Sequence, residues 1–462
     1  MSKGEPMLTL RAAAQACAGQ LLHADGDVVF SDVCTDSRKL QAGELFIALK
    51  GENFDGHDYA AAVLGQGAVA CLVEAGWAAR HKGDKPLLAV ADTRRALGDL
   101  AAAWRSRFDL PLIGVTGSNG KTTVKEMCAA ILRAWTGEAD AVLATAGNLN
   151  NDIGMPQMLL RLRPQHRAAV IEMGMNHPGE IDYLTRIARP TVALITNAQR
   201  AHLEGLGGLA AVARAKGEVF AGLSETGTAV INADDAHAGL WRELAAGRPQ
   251  ISFGLDAPAD VSCVCLPRPY GSLLKLRTPA GRAEVELQLP GRHNVANACA
   301  ACAATLAAGA SLDAVAAGLA ACRGAKGRLE RRRGLNGALL IDDSYNANPD
   351  SLRAAIDVLA ALPGRKILVL GDMGETGAAA AQFHDEIGGY AKSMGIDLLL
   401  ALGEHAAQAA RNFDGGASHF KTVAALTEAL RPLLDGQTAV LVKGSRFMRM
   451  ERVVAAIEEA PQ

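Results

Sequence analysis

The segment Gly114-Val-Thr-Gly-Ser-Asn-Gly-Lys-Thr-Thr123 sets three glycines, a lysine and paired threonines between an apolar run, Leu110 to Ile113, and a stretch of helical periodicity from Thr122 to Trp135. A buried strand that turns through glycines into a helix points to an α/β architecture. Glycines let backbone N–H groups approach phosphate oxygens, Lys121 can reach the terminal phosphates, and the Thr122 hydroxyl can ligate Mg²⁺ at a helix N-terminus that favours anions. The expected ligand is ATP with magnesium, cradled by Gly117, Ser118, Asn119, Gly120, Lys121, Thr122 and Thr123. The loop departs from the strict Walker spacing, which would place a glycine at Val115.

A chain of 462 residues exceeds the usual size of one domain, and three are expected. With 49% hydrophobic and 21% charged residues it can build large cores without staples. The net charge of −2 gives no reason to invoke nucleic acid or an anionic membrane as partner. The nine cysteines sit mostly in Ala- or Val-rich surroundings and read as reduced core residues; Cys299-Ala-Ala-Cys302 reads as helix packing rather than a redox pair. No leader-like segment opens the sequence and no apolar run spans a bilayer, so a cytoplasmic protein without membrane insertion is expected.

Short apolar runs alternate with Ala-rich helical stretches up to about Lys85-Pro86, giving a small α/β unit over residues 1–88. Residues 89–326 continue the alternation around the glycine loop and predict a mostly parallel, doubly wound sheet. Within them, Val230-Ile-Asn, Ile251-Ser-Phe, Val261 to Cys265 and Leu273 to Leu276 read as antiparallel strands appended to that sheet. The basic run Lys326 to Gly334 reads as a joint, and residues 327–462 as a further Rossmann-type unit.

Polar residues recur where the apolar strands end. Glu172 closes Ala168-Ala-Val-Ile and can share a magnesium ion with Thr122, since strand ends in a doubly wound sheet meet at one edge. His202 lies beyond the strand Thr191 to Thr196 and reads as a ligand of a second metal or a phosphate contact. Lys216, on a following helix, reads by spacing alone as solvated or salt-bridged. The loop Asn148-Leu-Asn150-Asn151-Asp-Ile-Gly-Met-Pro156 either holds a polar ligand or satisfies its own backbone. At Gly291-Arg-His-Asn294-Val-Ala-Asn297, Asn294 is placed to cap a helix and Asn297 to face a base edge. Three more clusters, Asp342 to Pro349, Gly371 to Glu375 and Lys443 to Arg446, follow apolar runs in the last unit and indicate a shared cleft there.

Taken together, Thr116 to Thr122, the Asn148 to Pro156 loop, Glu172, His202, Lys216, Gly291 to Asn294, Arg328 and Asp343-Ser344 resemble the Mur ligases, which build the peptide stem of bacterial cell-wall precursors. Thr35-Asp-Ser-Arg38, Gly51 to His57, Asp343 to Pro349 and Gly371 to Glu375 look like the last-acting member, which joins D-alanyl-D-alanine to UDP-N-acetylmuramoyl-tripeptide. The resemblance implies three domains: an N-terminal UDP-binding α/β domain, a central P-loop ATPase-like domain and a C-terminal Rossmann-like domain. It implies catalysis by Lys121, Glu172, His202 and Lys216, with two Mg²⁺ ions on Thr122, Glu172, His202 and a Lys216 carried as N6-carboxylysine. It further implies that Asn297, Arg328 and Asp343 contact ATP. Ser37, Arg38, Glu52, Asn53 and Phe54 would bind the uridine diphosphate end, Asn150 and Asn151 the muramoyl peptide, and Tyr345, Asn346 and Asn348 substrate. A monomer is expected. Two sister activities stand beside this one: addition of a diamino acid to the dipeptide precursor, and glutamate addition to folate. The Asp-Asn-Pro-Arg signature of the former is missing from the sequence, and the Thr35 to Arg38 segment speaks against the latter.

Overall fold

The computed structural model describes residues 6–81, 83–200, 206–268 and 270–459, and builds three α/β domains on three separate main sheets. In the first, β1 (Leu8–Thr9) pairs antiparallel with β3 (Val29–Phe30) beside a five-stranded sheet. That sheet runs β2 (Gln20–Leu22), β7 (Leu87–Val90), β6 (Ala70–Glu74), β5 (Leu45–Ile47), β4 (Val33–Cys34), with only β2 antiparallel.

The helix Thr93–Arg105 ties this domain to the next. Asp92 caps it by accepting from the amides of Arg94 and Arg95 at 2.8 and 3.0 Å, a contact worth about 1 kcal/mol. Its Leu97, Leu100, Ala101 and Trp104 form one buried stripe in an apolar cluster that runs from Met7 to Ala245, so the first two domains share a core.

The central sheet has the order β13 (Gln250–Phe253), β12 (Thr228–Asn232), β11 (Val192–Ile195), β8 (Leu112–Thr116), β10 (Ala168–Glu172), β9 (Val142–Ala144), and every neighbouring pair is parallel. The expectation that strands near 230 and 251 are antiparallel is corrected here. The helix Ala238–Leu244 crosses over between them, and such a connection returns the chain in the same direction. The antiparallel reading holds for β14 (Ser262–Pro267), β15 (Ser272–Thr278) and β16 (Gly281–Leu287), which form a separate three-stranded sheet.

The last sheet runs β17 (Glu330–Arg333), β18 (Leu339–Asp343), β22 (Thr438–Lys443), β19 (Arg365–Gly371), β20 (Leu398–Leu402), β21 (Ala417–Phe420), and all but β17 are parallel. The basic run read as a joint contains that edge strand. Its charged residues suit an edge, where one row of backbone groups faces away from the sheet.

Among the described residues no helix is long and apolar enough to cross a membrane. Helix Leu312–Ala321 packs on helix Lys121–Thr136 at Gly318, where a Cβ would stand 2.3 Å from the Ile131 Cα. We predict that Gly318→Ala lowers stability by about 1–3 kcal/mol, whereas Gly239→Ala, in a helix with open space around it, is neutral or gains up to about 1 kcal/mol; opposite or unequal shifts of the urea unfolding midpoints check the pair.

Candidate active site

Three parallel strands, β8, β10 and β11, end side by side, and the loops beyond them make the floor of the site. The loop after β8 enters helix Lys121–Thr136 through Gly120, and no side chain caps that helix, so its first-turn amides remain available for an anion. Gly117 and Gly120 have φ of +147° and +83°. A Cβ on Gly117 would lie 1.8 Å from Thr196 Oγ1, and one on Gly120 would lie 2.5 Å from Asn297 Oδ1. Both conformation and space therefore demand glycine.

The loop after β11 holds this turn in shape. The Thr196 hydroxyl donates to Asn119 O at 2.6 Å, Ser118 N donates to Asn197 O at 3.0 Å, and Asn119 N donates to Asn197 Oδ1 at 2.9 Å. Gln199 completes the brace, its amide N–H donating to Ser118 Oγ at 3.0 Å and its side-chain oxygen accepting from Asn119 Nδ2 at 2.7 Å. Lys121 Nζ donates back to the carbonyls of Gly117 and Ser118 at 2.6 and 3.1 Å. Desolvation lowers this ammonium's pKa below the ordinary lysine value, with Glu172 opposing.

Glu172 is buried at the end of β10. It accepts from Thr122 Oγ1 at 3.0 Å on one oxygen and from Asn150 Nδ2 at 2.8 Å on the other. A hydroxyl and a carboxylate at the mouth of an anion loop form an oxygen-only donor set, which suits a hard cation such as Mg²⁺. Asn151 is engaged in its own turn, its Oδ1 accepting from Gly154 N at 2.8 Å. His202 lies outside the described residues.

Lys216 is fully buried, and among the described residues its Nζ has no hydrogen-bond partner. Burial, reinforced by Lys121, pushes its pKa well below the lysine value. The solvated or salt-bridged reading of this residue is thereby corrected. Neighbouring Glu218 does not serve it as partner, because its carboxylate accepts from Gly179 N at 2.8 Å and Asp182 N at 3.1 Å, at the start of another helix.

The C-terminal domain supplies the facing wall of a cleft of about 460 Å³ that both Asn119 and Asn297 line. Asn297 is buried and bonds to Asn294 Oδ1 at 3.1 Å. Asn294 itself is not the helix cap, since Gly291 occupies that place and the Asn294 amide donates to Pro290 O at 2.7 Å. His293, also on the wall, has its pKa pushed down to about 4 by burial and so stays neutral at physiological pH. The Arg328 guanidinium stands 4.2 Å from the Tyr345 ring centroid. Asp343 accepts from Leu329 N at 3.1 Å and pairs with Lys443 Nζ at 2.6 Å. Asn348 caps helix Pro349–Ala360 and pairs amide to amide with Asn119, its Nδ2 donating at 2.7 Å. Asn346 presents its carbonyl to Lys443 Nζ at 2.8 Å.

The sequence reading passed over Asn197 and Gln199, which lie between the strand Thr191 to Thr196 and His202, and assigned no individual role to Lys443. Asp343 and Lys443 are register partners on β18 and β22, so strand pairing alone brings the ion pair together. The Thr35 to Arg38 loop docks on the central domain, where Gln157 Nε2 donates to Thr35 Oγ1 at 3.1 Å and Arg163 to Asp32 at 2.9 Å. Ser37 is part-buried, and Arg38 forks onto Asp36 at 2.8 and 2.9 Å. Glu52, Asn53 and Phe54 form an exposed loop in the same domain, with Phe54 62% exposed. We predict that Lys443→Met, which leaves Asp343 uncompensated, destabilises the protein by about 3–5 kcal/mol and weakens binding of a fluorescent ATP analogue; thermal denaturation and titration read the two effects.

Three domain profiles of one family cover most of the chain: the Mur ligase catalytic domain over residues 30–105, the Mur ligase middle domain over 115–305, and the Mur ligase glutamate ligase domain over 327–446. The chain is 45% identical over 437 residues to the UDP-N-acetylmuramoyl-tripeptide–D-alanyl-D-alanine ligase of Escherichia coli K12, covering 94% of this chain and 95% of that protein. It is 34% identical over 445 residues to the enzyme of the same name from Bacillus subtilis 168, covering 94% of each. Among solved structures, MurF from Acinetobacter baumannii superposes with a TM-score of 0.91 at 39% identity, over 98% of this chain and 99% of that one. MurF from Thermotoga maritima, solved in complex with ADP, gives a TM-score of 0.81 at 26% identity, over 92% and 96%. Domain profiles over most of the chain and relatives matched nearly end to end show that the chain belongs to the Mur ligase family.

Proposed function

We propose that the chain joins the amine of D-alanyl-D-alanine to the terminal carboxylate of UDP-N-acetylmuramoyl-tripeptide, driven by ATP, and so completes the pentapeptide precursor of peptidoglycan. The observation that carries this reading is an uncapped phosphate loop whose residues share one cleft with a C-terminal wall, next to the Thr122–Glu172–Asn150 chain at the start of the same helix. The names of the relatives over nearly their full length supply the substrates.

The first-turn amides from Gly120 to Thr123 and the Lys121 ammonium bind the phosphates, in a turn shaped by Gly117, Ser118 and Asn119; Lys121 exchanges its bonds to Gly117 O and Ser118 O for phosphate oxygens. Asn297, Arg328 and Asp343 hold the nucleoside. Ser37, Arg38, Glu52, Asn53 and Phe54 receive the uridine diphosphate end, and Asn150 and Asn151 orient the muramoyl peptide. Tyr345, Asn346 and Asn348 shape the wall from which the dipeptide amine enters. Functionally, residues 1–88, 89–326 and 327–462 divide into uridine-diphosphate, ATP and closing domains. The tripeptide carboxylate attacks the γ-phosphorus in line, ADP leaves, and an acyl phosphate results. The amine adds to its carbonyl carbon, the tetrahedral adduct loses phosphate and a proton, and an amide remains. No protein nucleophile takes part; the residues position and stabilise charge.

Thr122 and Glu172 are the residues to hold one Mg²⁺, and Lys216 with His202 the residues to hold a second, which when bound neutralise charge on the transferring phosphoryl group. A carbamate on Lys216 fits its surroundings: a buried, unpartnered amine with a depressed pKa is the neutral nucleophile that adds to CO₂. UDP-linked and ATP substrates support a cytoplasmic site of action.

Phosphate release should require both the UDP-tripeptide and D-alanyl-D-alanine in a coupled assay; equal release with ATP alone would sink the ligase reading. Lys216→Ala should lose activity that short carboxylic acids partly restore, and ¹³C-bicarbonate should give the native protein, but not the variant, a carbamate resonance. Absence of that resonance together with failure of every anion to rescue would remove the carboxylysine.

A further inference from the structure

Arg200 follows Gln199 in the loop that braces the phosphate turn, yet its side chain leaves the central domain. Its own amide N–H donates to Asp350 Oδ2 at 2.8 Å, and its Nε and one terminal nitrogen donate to Asp350 Oδ1 at 3.0 and 2.7 Å. The other terminal nitrogen donates to Glu386 Oε2 at 3.2 Å. The guanidinium carbon lies 5.4 Å from the Phe383 ring centroid. Asp350 stands on the first turn of helix Pro349–Ala360, and Phe383 and Glu386 on helix Ala380–Ser393, both in the C-terminal domain. The three charged side chains are half-buried, so the fork is partly shielded from solvent.

Arg200 also lines a narrow polar gap between the domains, together with Lys121, Arg328, Asn346 and Gly374. Its backbone neighbour Gln199 is bonded to Ser118 and Asn119. One peptide unit therefore grips the phosphate loop on one side and the C-terminal domain on the other. A planar guanidinium with two N–H groups on one Asp350 oxygen and a third on Glu386 fixes angle as well as distance, which a single amide pair such as Asn119–Asn348 does not.

We propose that Arg200 is a positioning residue: its clasp on Asp350 and Glu386 sets the register of the C-terminal domain over the phosphate loop, and so places the incoming amine against the activated carboxyl. The assignment rests on the ligase reading for its kinetic consequence only. The phosphate loop that carries the transferring phosphoryl group lies in the central domain, whereas the wall from which the amine enters belongs wholly to the third domain, so amide formation is the step that depends most on how that domain is seated. A displacement of about 1 Å at reacting atoms is worth on the order of 100-fold in rate.

The test compares wild type, Arg200→Ala, Arg200→Lys and Glu386→Gln by steady-state kinetics and by small-angle X-ray scattering with and without a non-hydrolysable ATP analogue. The expected result is that Arg200→Ala lowers kcat by roughly 10- to 100-fold and raises KM for D-alanyl-D-alanine more than KM for ATP, whose phosphates stay with the central domain. Its radius of gyration with nucleotide should exceed that of the wild type. Arg200→Lys should recover part of both losses, and Glu386→Gln should show the same pattern more weakly. Wild-type kinetics in Arg200→Ala overturn the proposal, as does lost activity with unchanged scattering, or a rise in KM for ATP as large as that for D-alanyl-D-alanine. Should Arg200→Ala not fold, the lysine and Glu386 variants carry the same readouts and the same criteria. A wild-type protein that does not ligate these substrates refutes the ligase reading instead, and scattering still decides whether the clasp holds the domains.

Discussion

An anion-binding turn must leave the amides of the helix start it feeds unpaired, so its shape has to be imposed from outside, and everything in this site follows from how that is done. Here the neighbouring strand's loop does it: Thr196, Asn197 and Gln199 take up Ser118 and Asn119 on both backbone and side chain. With the turn clamped so closely, a side chain at 117 or 120 has nowhere to go. The irregular glycine spacing is the imprint of that clamp on the sequence. The same loop then extends to Arg200 and the C-terminal domain, so the element that shapes the phosphate turn also meets the wall that closes over it.

Two buried lysines show how differently the fold treats like charges. Lys443 lies opposite Asp343 across adjacent parallel strands, and the pair compensates itself before any ligand arrives. Lys216 has no such neighbour among the described residues, and burial, with the Lys121 charge adding to it, drives it toward the neutral amine. An unpartnered amine in that position costs free energy in the bare protein. Such a cost points to chemistry at the residue, as a satisfied pair does not.

Much of the architecture was legible in the order of apolar runs. Strands at Leu45, Ala70, Leu112, Ala168, Leu339, Arg365, Leu398 and Thr438 all stand close to where hydrophobic patterning places them, because strands buried on both faces read as continuous apolar runs. Direction was less legible. The strands near 230 and 251 turned out parallel, since an apolar run carries no sign of the sense in which it is paired; that depends on the crossover helix between them. The edge strands β17 and β21 were missed because their residues are half-exposed and polar, which removes the pattern. In the site, Lys121, Thr122 and Glu172 were recognisable from motif and strand-end position, whereas Asn197, Gln199 and Arg200 act by contacts across the fold.

The amino-acid sequence by itself determined the chemistry available: a glycine turn feeding a helix, carboxylates and amides at strand ends, and a succession of α/β units, because all of these depend on residue type and local periodicity. Only the tertiary structure decided which of those groups meet. It joined Asn150 to Glu172, Asp343 to Lys443 and Arg200 to Asp350 across separations that no local pattern spans, and it left Lys216 buried with no bond to any of the described residues. The physical reason is that strand register and domain docking set distances between side chains remote in sequence, and those distances govern desolvation and pairing.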